Sequence, residues 1–509
     1  LKRSYKIISK NLTFEKANGW LLDNFYVIDK HYRCCRKDKN ALKCKEFYKT
    51  IRIYCQRNDY LPDPKGLGEF LASQNKRFEY NCLSSLKTLL AVCAINKIAE
   101  VLENEREGFL LSHSVKLLIS LSDPDYDDII KNVWAPEKSL AKFEEGYNNF
   151  DEETKSAYRF GIAEYAKKHS LSEAEAAKDL INEAKRKGCP LGSLLFAPSK
   201  CQAALWCVYI ALVFSLLTAV SRLWLGWITL LLVLPFFVTA TSVADQLIPL
   251  SARSYRAPRL ELTTIPDHAK TLVTVATLMN GGEGDFRVFD SLLRFRYMNP
   301  DKNIYFCVLA DFPDSKEQYH LSDNEIIRNA QLKIDELNQL HGNRFCLFFR
   351  ERVYNESEMT YGGWERKRGA VCELISHIVK GDKNEFYGGD FINEIKYILT
   401  LDSDTNLSVE SVRELLSVAL HPVNRPVIKN GRVVSGYGII QPTVRTELSS
   451  AYKTGFSRLT SGSGGADAYS TASFHRSQTL FGSGNFCGKG LIDVNAFYKL
   501  VNNKLPTGL

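Results

Sequence analysis

The sequence predicts a mostly parallel α/β sheet with flanking helices, preceded by an all-α region and a hairpin of two apolar, membrane-length helices. Three observations carry this expectation. From about residue 270 onward, short apolar runs alternate with amphipathic helical patterns, which is how βαβ units read. Two adjacent runs, 203–220 and 223–242, lack formal charge apart from the Ser221-Arg222 pair between them. A hydrocarbon layer of ~30 Å needs about 20 such residues per helix. Residues 1 to about 200 are rich in Ala, Leu, Glu and Lys and poor in Gly and Pro. The expected division is 1–200 helical, 201–248 membrane hairpin and 249–509 α/β domain.

Composition sets the outer limits. At 509 residues, with 45% hydrophobic and 24% charged residues, the chain is a folded, multidomain protein. A formal charge of +8 spread over that length gives no argument for a nucleic-acid partner. Thirteen Cys are scattered, with Cys34-Cys35 adjacent and no Cys-x-x-Cys, which reads as reduced, mostly buried thiols in a cytosolic setting. The chain starts at Leu1 and stops in mid-pattern at Lys504-Leu505-Pro506-Thr507-Gly508-Leu509, so a longer protein is expected.

In the first region Leu83, Leu86, Leu90 and Cys93 recur at helical spacing. Ser170-Leu171-Ser172-Glu173-Ala174-Glu175 reads as a helix start with acidic residues in its first turn. His113 and His169 stand alone and are expected to be surface or capping residues. Around the apolar pair, Lys185, Arg186, Lys187 and Lys200 precede it and Arg253, Arg256 and Arg259 follow it. Basic flanks on both sides put both large soluble parts on the cytoplasmic side, with Trp206 and Trp224 at the interfaces.

The α/β region reads as strand 271–278, helix 286–298, strand 303–310 closing on Asp311, and a capping box at Ser322-Asp323-Asn324-Glu325 opening a helix to about 340. Strand 345–349, helix 366–379, a strand ending at Asp402, helix 408–419 and strand 438–444 follow. Gly281-Gly282-Glu283-Gly284 lacks dinucleotide-fingerprint spacing, and no Walker A motif is present.

The stretch Lys396-Tyr397-Ile398-Leu399-Thr400-Leu401-Asp402-Ser403-Asp404 carries the chemistry. An apolar strand ends in two carboxylates two residues apart. In open α/β sheets ligands sit outside the carboxyl ends of strands. In extended backbone, residues i and i+2 point to the same side. Two close anions call for a hard divalent cation, Mg²⁺ or Mn²⁺, that bridges to phosphates. Nucleotide-sugar transferases of the GT-A type hold a sugar diphosphate with such an Asp-x-Asp. Thr277 and Asp311 close neighbouring strands. Trp364-Glu365-Arg366-Lys367-Arg368-Gly369-Ala370 supplies cations for a pyrophosphate. Gly482-Ser483-Gly484-Asn485-Phe486-Cys487-Gly488-Lys489-Gly490 lets backbone approach a sugar.

In combination, Leu309-Ala310-Asp311, Tyr361-Gly362-Gly363-Trp364-Glu365-Arg366-Lys367-Arg368-Gly369, Thr400-Leu401-Asp402-Ser403-Asp404-Thr405, His421-Pro422-Val423-Asn424-Arg425-Pro426, Gly436-Tyr437-Gly438-Ile439-Ile440-Gln441-Pro442 and the glycine-rich loop resemble the glycosyltransferase part of cyclic β-1,2-glucan synthases. The similarity extends upstream through Trp20-Leu21-Leu22-Asp23-Asn24-Phe25 and the region of Phe150-Asp151-Glu152-Glu153-Thr154. The resemblance implies a GT-A-like fold, UDP-glucose as donor, a β-1,2-glucan acceptor and inversion at the anomeric carbon. It implies a multi-pass inner-membrane enzyme with its catalytic domain facing the cytoplasm, carrying further membrane helices and a phosphorylase-like domain downstream. By position, Asp311 would bind the uridine part, and Asp402 and Asp404 would hold Mg²⁺ (or Mn²⁺) with the diphosphate. Arg368, or alternatively Lys367, would contact phosphate. Thr277, Gln441, Gly484 and Lys489 would lie near donor or acceptor.

Two departures stand out. Val275-Ala276-Thr277 lacks the Pro that such transferases commonly place before Thr. The Asp of a Ser-His-Asp motif, which resembles the general base of the family, is expected beyond Leu509. No catalytic residue is therefore assigned; of the carboxylates present, Asp493 reads as a helix start and Asp467 lies in a Ser/Gly stretch. The alternatives are another processive UDP-sugar polymerase of cellulose-, chitin- or hyaluronan-like kind, whose usual Gln-x-x-Arg-Trp motif is absent here, or a non-catalytic glycan-binding membrane scaffold.

Overall fold

The computed structural model describes residues 1–509 apart from 14–18, 75, 105–107, 197–199, 252–255, 382–385, 388–391, 443, 445–446, 448–452, 461–475, 483, 485 and 502–509. Two units make up the chain, Leu1–Phe196 and Ala197–Leu509. Asp467 and the region around Pro506 lie outside the described residues.

The first unit is built of helices. Its axis is Leu86–Asn104, in which Leu86, Leu89, Leu90, Cys93, Ala94, Ile95 and Ile98 are all buried. Helices Lys2–Thr13, Gly19–Lys37, Lys45–Arg57 and Gly108–Ser120 wrap it. Of the residues at helical spacing, Leu83 is buried but belongs to a separate short helix, Tyr80–Leu83. Ser172 caps Glu173–Lys187 reciprocally with Glu175, satisfying donors that a helix start leaves open. Arg159 is buried and meets Glu137 through Nη2 at 2.6 Å and Nε at 3.0 Å, so the charge is paired rather than stranded. His113 Nδ1 lies 3.0 Å from the Asp59 carbonyl, and the His169 ring packs on Tyr165.

The expectation that every thiol is reduced fails at one pair in this unit. Cys44 and Cys82 form a disulfide, with their Cα atoms 5.6 Å apart. The turn before Lys45–Arg57 and the helix Tyr80–Leu83 bring them within bridging distance. The other cysteines are free thiols.

The second unit begins with helices Lys200–Leu225 and Val233–Ser251. The stretch Cys201–Ile248 is long and apolar enough to cross a membrane by length and composition, and its most apolar window is not buried. Its two halves run antiparallel: Trp206 Nε1 donates to Asp245 at 2.9 Å, the Phe214 ring meets Phe237, and Ser221 Oγ meets Thr229 Oγ1 at 3.1 Å. The reversal expected at Ser221-Arg222 falls instead at Gly226–Leu232. Gly226, at φ +53°, is the residue that tolerates the left-handed backbone there.

Strands β1 (Thr271–Leu278), β2 (Ile304–Asp311), β3 (Phe345–Phe349), β4 (Val353–Asn355), β5 (Thr360–Gly362), β6 (Phe386–Tyr387), β7 (Tyr397–Asp402), β8 (Val427–Lys429), β9 (Arg432–Ser435), β10 (Ile439–Ile440) and β11 (Gly490–Asp493) follow. Seven form one sheet in the order β10-β11-β7-β1-β2-β3-β6. β7, β1, β2 and β3 are mutually parallel, and β11 and β6 add antiparallel. Helices Arg287–Met298, Asp323–His341 and Ser411–Ala419 bury Phe289, Leu292, Ile334 and Leu416 against one face, where Val273 and Val275 point. Arg366–Lys380 and Val494–Val501 cover the other, with Leu374, Ile375 and Val494 against Leu272 and Ile398. Burial of both faces is why these strands are continuous apolar runs.

Local differences from expectation have local causes. Ser322 makes no side-chain cap; Asp323 accepts from His320 N–H at 2.9 Å and pairs with Arg352 at 2.6 Å instead. The helix expected from 408 starts at Ser411, because Glu410 is left-handed at φ +58°. Of strand 438–444, β10 is the described paired part, and 443 lies outside the described residues.

Candidate functional site

Parallel pairing brings the carboxyl ends of four strands to one edge. Ala276 is the β1 partner of Asp402, and Leu278 pairs with Asp311, so Thr277 lies between the two acids in register. β11 runs against β7 with Gly490 opposite Thr400. Lys489 and Gly488, just before it, therefore return to the edge where Asp402 ends.

Both carboxylate oxygens of Asp402 carry a cation. Lys367 Nζ donates to Oδ1, and Lys489 Nζ lies 3.1 Å from Oδ2. Lys367 also donates to the Gly488 carbonyl at 2.7 Å, which accepts from Thr400 Oγ1 at 3.1 Å as well. Partial burial pushes the Asp402 carboxyl up, but the ammoniums of Lys367 and Lys489 outweigh that and hold it below the usual carboxylate range. Gln441 Oε1 accepts from the Cys487 N–H at 2.8 Å, tying the glycine-rich loop to the segment after β10. Gly484 is exposed in that loop.

Asp404 is placed differently from its partner. β7 ends at Asp402, and the Thr405 N–H donates to the Asp402 carbonyl at 3.0 Å, closing a turn with Ser403 and Asp404 at its centre. The extended-strand geometry expected for Asp402 and Asp404 therefore stops at Asp402. Asp404 is exposed and accepts from Thr405 Oγ1 at 3.4 Å. Among the described residues there is no group of three or more His, Cys, Asp or Glu that could hold a metal. Two carboxylates at a strand mouth still match the donor chemistry of Mg²⁺, which takes one or two carboxylates and fills its shell with phosphates and water.

Asp311 is buried and gripped by a residue that the sequence reading missed. Arg350 Nε and Nη2 each meet one Asp311 oxygen at 2.6 Å. Arg350 also donates to the carbonyls of Trp364 and Arg366, both at 2.9 Å, and to Glu373 at 3.2 Å. The signal was available: Arg350 directly follows the all-apolar Phe345–Phe349 strand, as Asp402 closes its own.

The basic segment divides its cations. Lys367 turns to Asp402; Arg368 pairs with Glu365, and Arg366 with Asp314. Glu365 and Arg366 are both left-handed, at φ +52° and +51°, where the helix begins. Gly369 must be glycine, since a Cβ there would lie 1.9 Å from the Trp364 carbonyl oxygen. Thr277 is half-buried, its hydroxyl 3.4 Å from the Leu278 carbonyl. Asp493 accepts from the Ala496 N–H at 2.8 Å and pairs with Lys396, so it opens the last helix as expected.

Strand ends converging on one acidic, lysine-bound mouth define an α/β domain with an open, parallel-rich sheet, the class in which ligands sit outside the carboxyl ends of the strands. No family model matches the chain. It is similar to the cyclic beta-(1,2)-glucan synthase NdvB of Rhizobium meliloti (strain 1021), with 33% identity over 287 residues, 54% of this chain. The resemblance read from the motifs is thus supported by a curated relative. The chain spans about a tenth of that relative's length, as the aligned share is 10%.

Proposed function

We propose that this chain is the glucosyl-transferring part of a membrane-bound β-1,2-glucan synthase, an inverting transferase of GT-A type that moves glucose from UDP-glucose to a growing glucan. The observation that carries the reading is Asp402, set at the mouth of the parallel sheet between Lys367 and Lys489, in a chain similar to a cyclic β-1,2-glucan synthase. Asp402 and Asp404 would hold Mg²⁺ or Mn²⁺, which when bound neutralises the charge developing on the diphosphate leaving group. Lys367 and Lys489 would contact the same phosphates, and Arg368 stands one residue after Lys367 on the same helix. Asp311, fixed by Arg350, and Thr277 would border the uridine. Gln441 and Gly484, through the loop they hold and form, would border the glucose or the acceptor. The general base is not assigned to any residue of this chain.

The apolar stretch Cys201–Ile248 would sit in the lipid bilayer as a two-helix hairpin, with the flanking soluble parts on the cytoplasmic side. Such a placement gives the transferase direct access to cytosolic UDP-glucose at an inner membrane.

Membranes containing the full-length synthase of which this chain is the transferring part, incubated with radiolabelled UDP-glucose and Mg²⁺ and followed by linkage analysis, test this. The expected product is 1,2-linked glucan. Incorporation from another UDP-sugar, another linkage, or binding without incorporation would each reject it.

A further inference from the structure

Asp402 presents two oxygens, and both are engaged by ammonium groups that arrive from different elements. Lys367 comes from the first turn of Arg366–Lys380, and Lys489 from the residue before β11. One negative charge thus faces two positive ones. A bare divalent cation approaching Asp402 meets like charge and competes with the lysines for the lone pairs of the same oxygens. A nucleoside diphosphate brings negative oxygens that accept those same ammoniums. Lys367 can leave Asp402 without freeing the loop, because the Gly488 carbonyl keeps its bond from Thr400 Oγ1 and Gln441 keeps the Cys487 N–H.

We propose that Lys367 and Lys489 are exchangeable counter-ions of Asp402: they compete with the divalent cation for its oxygens, and the diphosphate relieves that competition by taking the lysines itself. The cation and the nucleotide then bind as one unit, and the cation alone binds poorly. This deepens the nucleotide-sugar reading and rests on it. The two lysines thereby act in opposite directions, against the metal alone and for the nucleotide.

Mn²⁺ binding, followed by electron paramagnetic resonance with and without UDP, separates these effects. Wild-type protein is expected to bind Mn²⁺ weakly alone and more tightly with UDP. Lys489→Met and Lys367→Met are expected to bind Mn²⁺ alone more tightly, by about tenfold, while UDP promotes that binding less than in wild type. If Lys367→Met fails to give native far-ultraviolet circular dichroism, Lys489→Met decides. Nucleotide-free Mn²⁺ affinity unchanged or weakened in the folded lysine variants overturns the exchange. If Asp402→Asn leaves UDP-promoted Mn²⁺ binding intact, the nucleotide-sugar reading itself falls, whatever the lysines do.

Discussion

Arg350 and Asp311 are the most tightly interlocked pair at the sheet mouth. Both are buried, and the guanidinium uses every face: two carboxylate oxygens, two carbonyls and Glu373. Removing one partner of a buried pair strands the other and costs about 3–5 kcal/mol. Arg350→Met should therefore lower urea-unfolding stability by roughly that amount, and Asp311→Leu combined with Arg350→Met should recover much of it. A second buried pair gives a pH prediction. Burial pushes the Asp323 carboxyl up, but Arg352 and the His320 N–H hold it below the ordinary value. A depressed folded value adds stability that is fully present above the unfolded carboxylate range, near ~3.9. That contribution fades as pH falls through the lower folded value. The stability gap between wild type and Asp323→Asn should be constant from pH 7 to 5 and shrink below about pH 4. Asp402 was legible as the end of an apolar run, and Lys367 and Lys489 as site candidates, whereas their pairing with Asp402 was not legible. Lys367 and Lys489 are 122 positions apart by their numbers, and only the antiparallel β11 makes them neighbours.

At the scale of elements, the parallel strands were readable because both faces are buried and the runs are apolar throughout. β1 and β3 fall where the pattern put them. The short edge strand β6, the hairpins β4–β5 and β8–β9, and the late antiparallel β11 were not, since two to four residues carry too little periodicity to identify. The helix Arg366–Lys380 depends on close backbone approach at its first turn. Gly369→Ala gains about 1 kcal/mol in helix propensity. It also forces a methyl against the Trp364 carbonyl, an overpacking that costs about 1–3 kcal/mol. The clash should win: thermal unfolding of Gly369→Ala is expected below wild type, and UDP binding should weaken because Lys367 shifts with the turn. A variant as stable as wild type would mean the turn can relax.

The whole molecule joins a helical unit to a second unit that begins with an apolar stretch and ends in the sheet. Trp224, Trp227 and Leu223 on that stretch are each more than four-fifths exposed. A contiguous exposed apolar surface of that extent marks a site that meets a membrane or another protein. The chain should sediment with membranes after alkaline carbonate washing, and removal of 201–248 should release it; release of the intact chain would contradict the bilayer assignment. Composition and hydropathy sufficed to find this segment, but the reversal point was misread because Arg222 looked like a turn, whereas Gly226 supplies the backbone that a reversal needs. The disulfide Cys44–Cys82 escaped the sequence because pairing is decided by the fold around it. The account as a whole stands on Asp402. The most direct measurement is UDP affinity with and without Mn²⁺, for wild type and Asp402→Asn. Mn²⁺ should strengthen UDP binding to wild type by more than about tenfold, beyond ~1.4 kcal/mol, and should do nothing for Asp402→Asn. Equal UDP affinities for the two proteins, with Mn²⁺ and without it, would contradict the account.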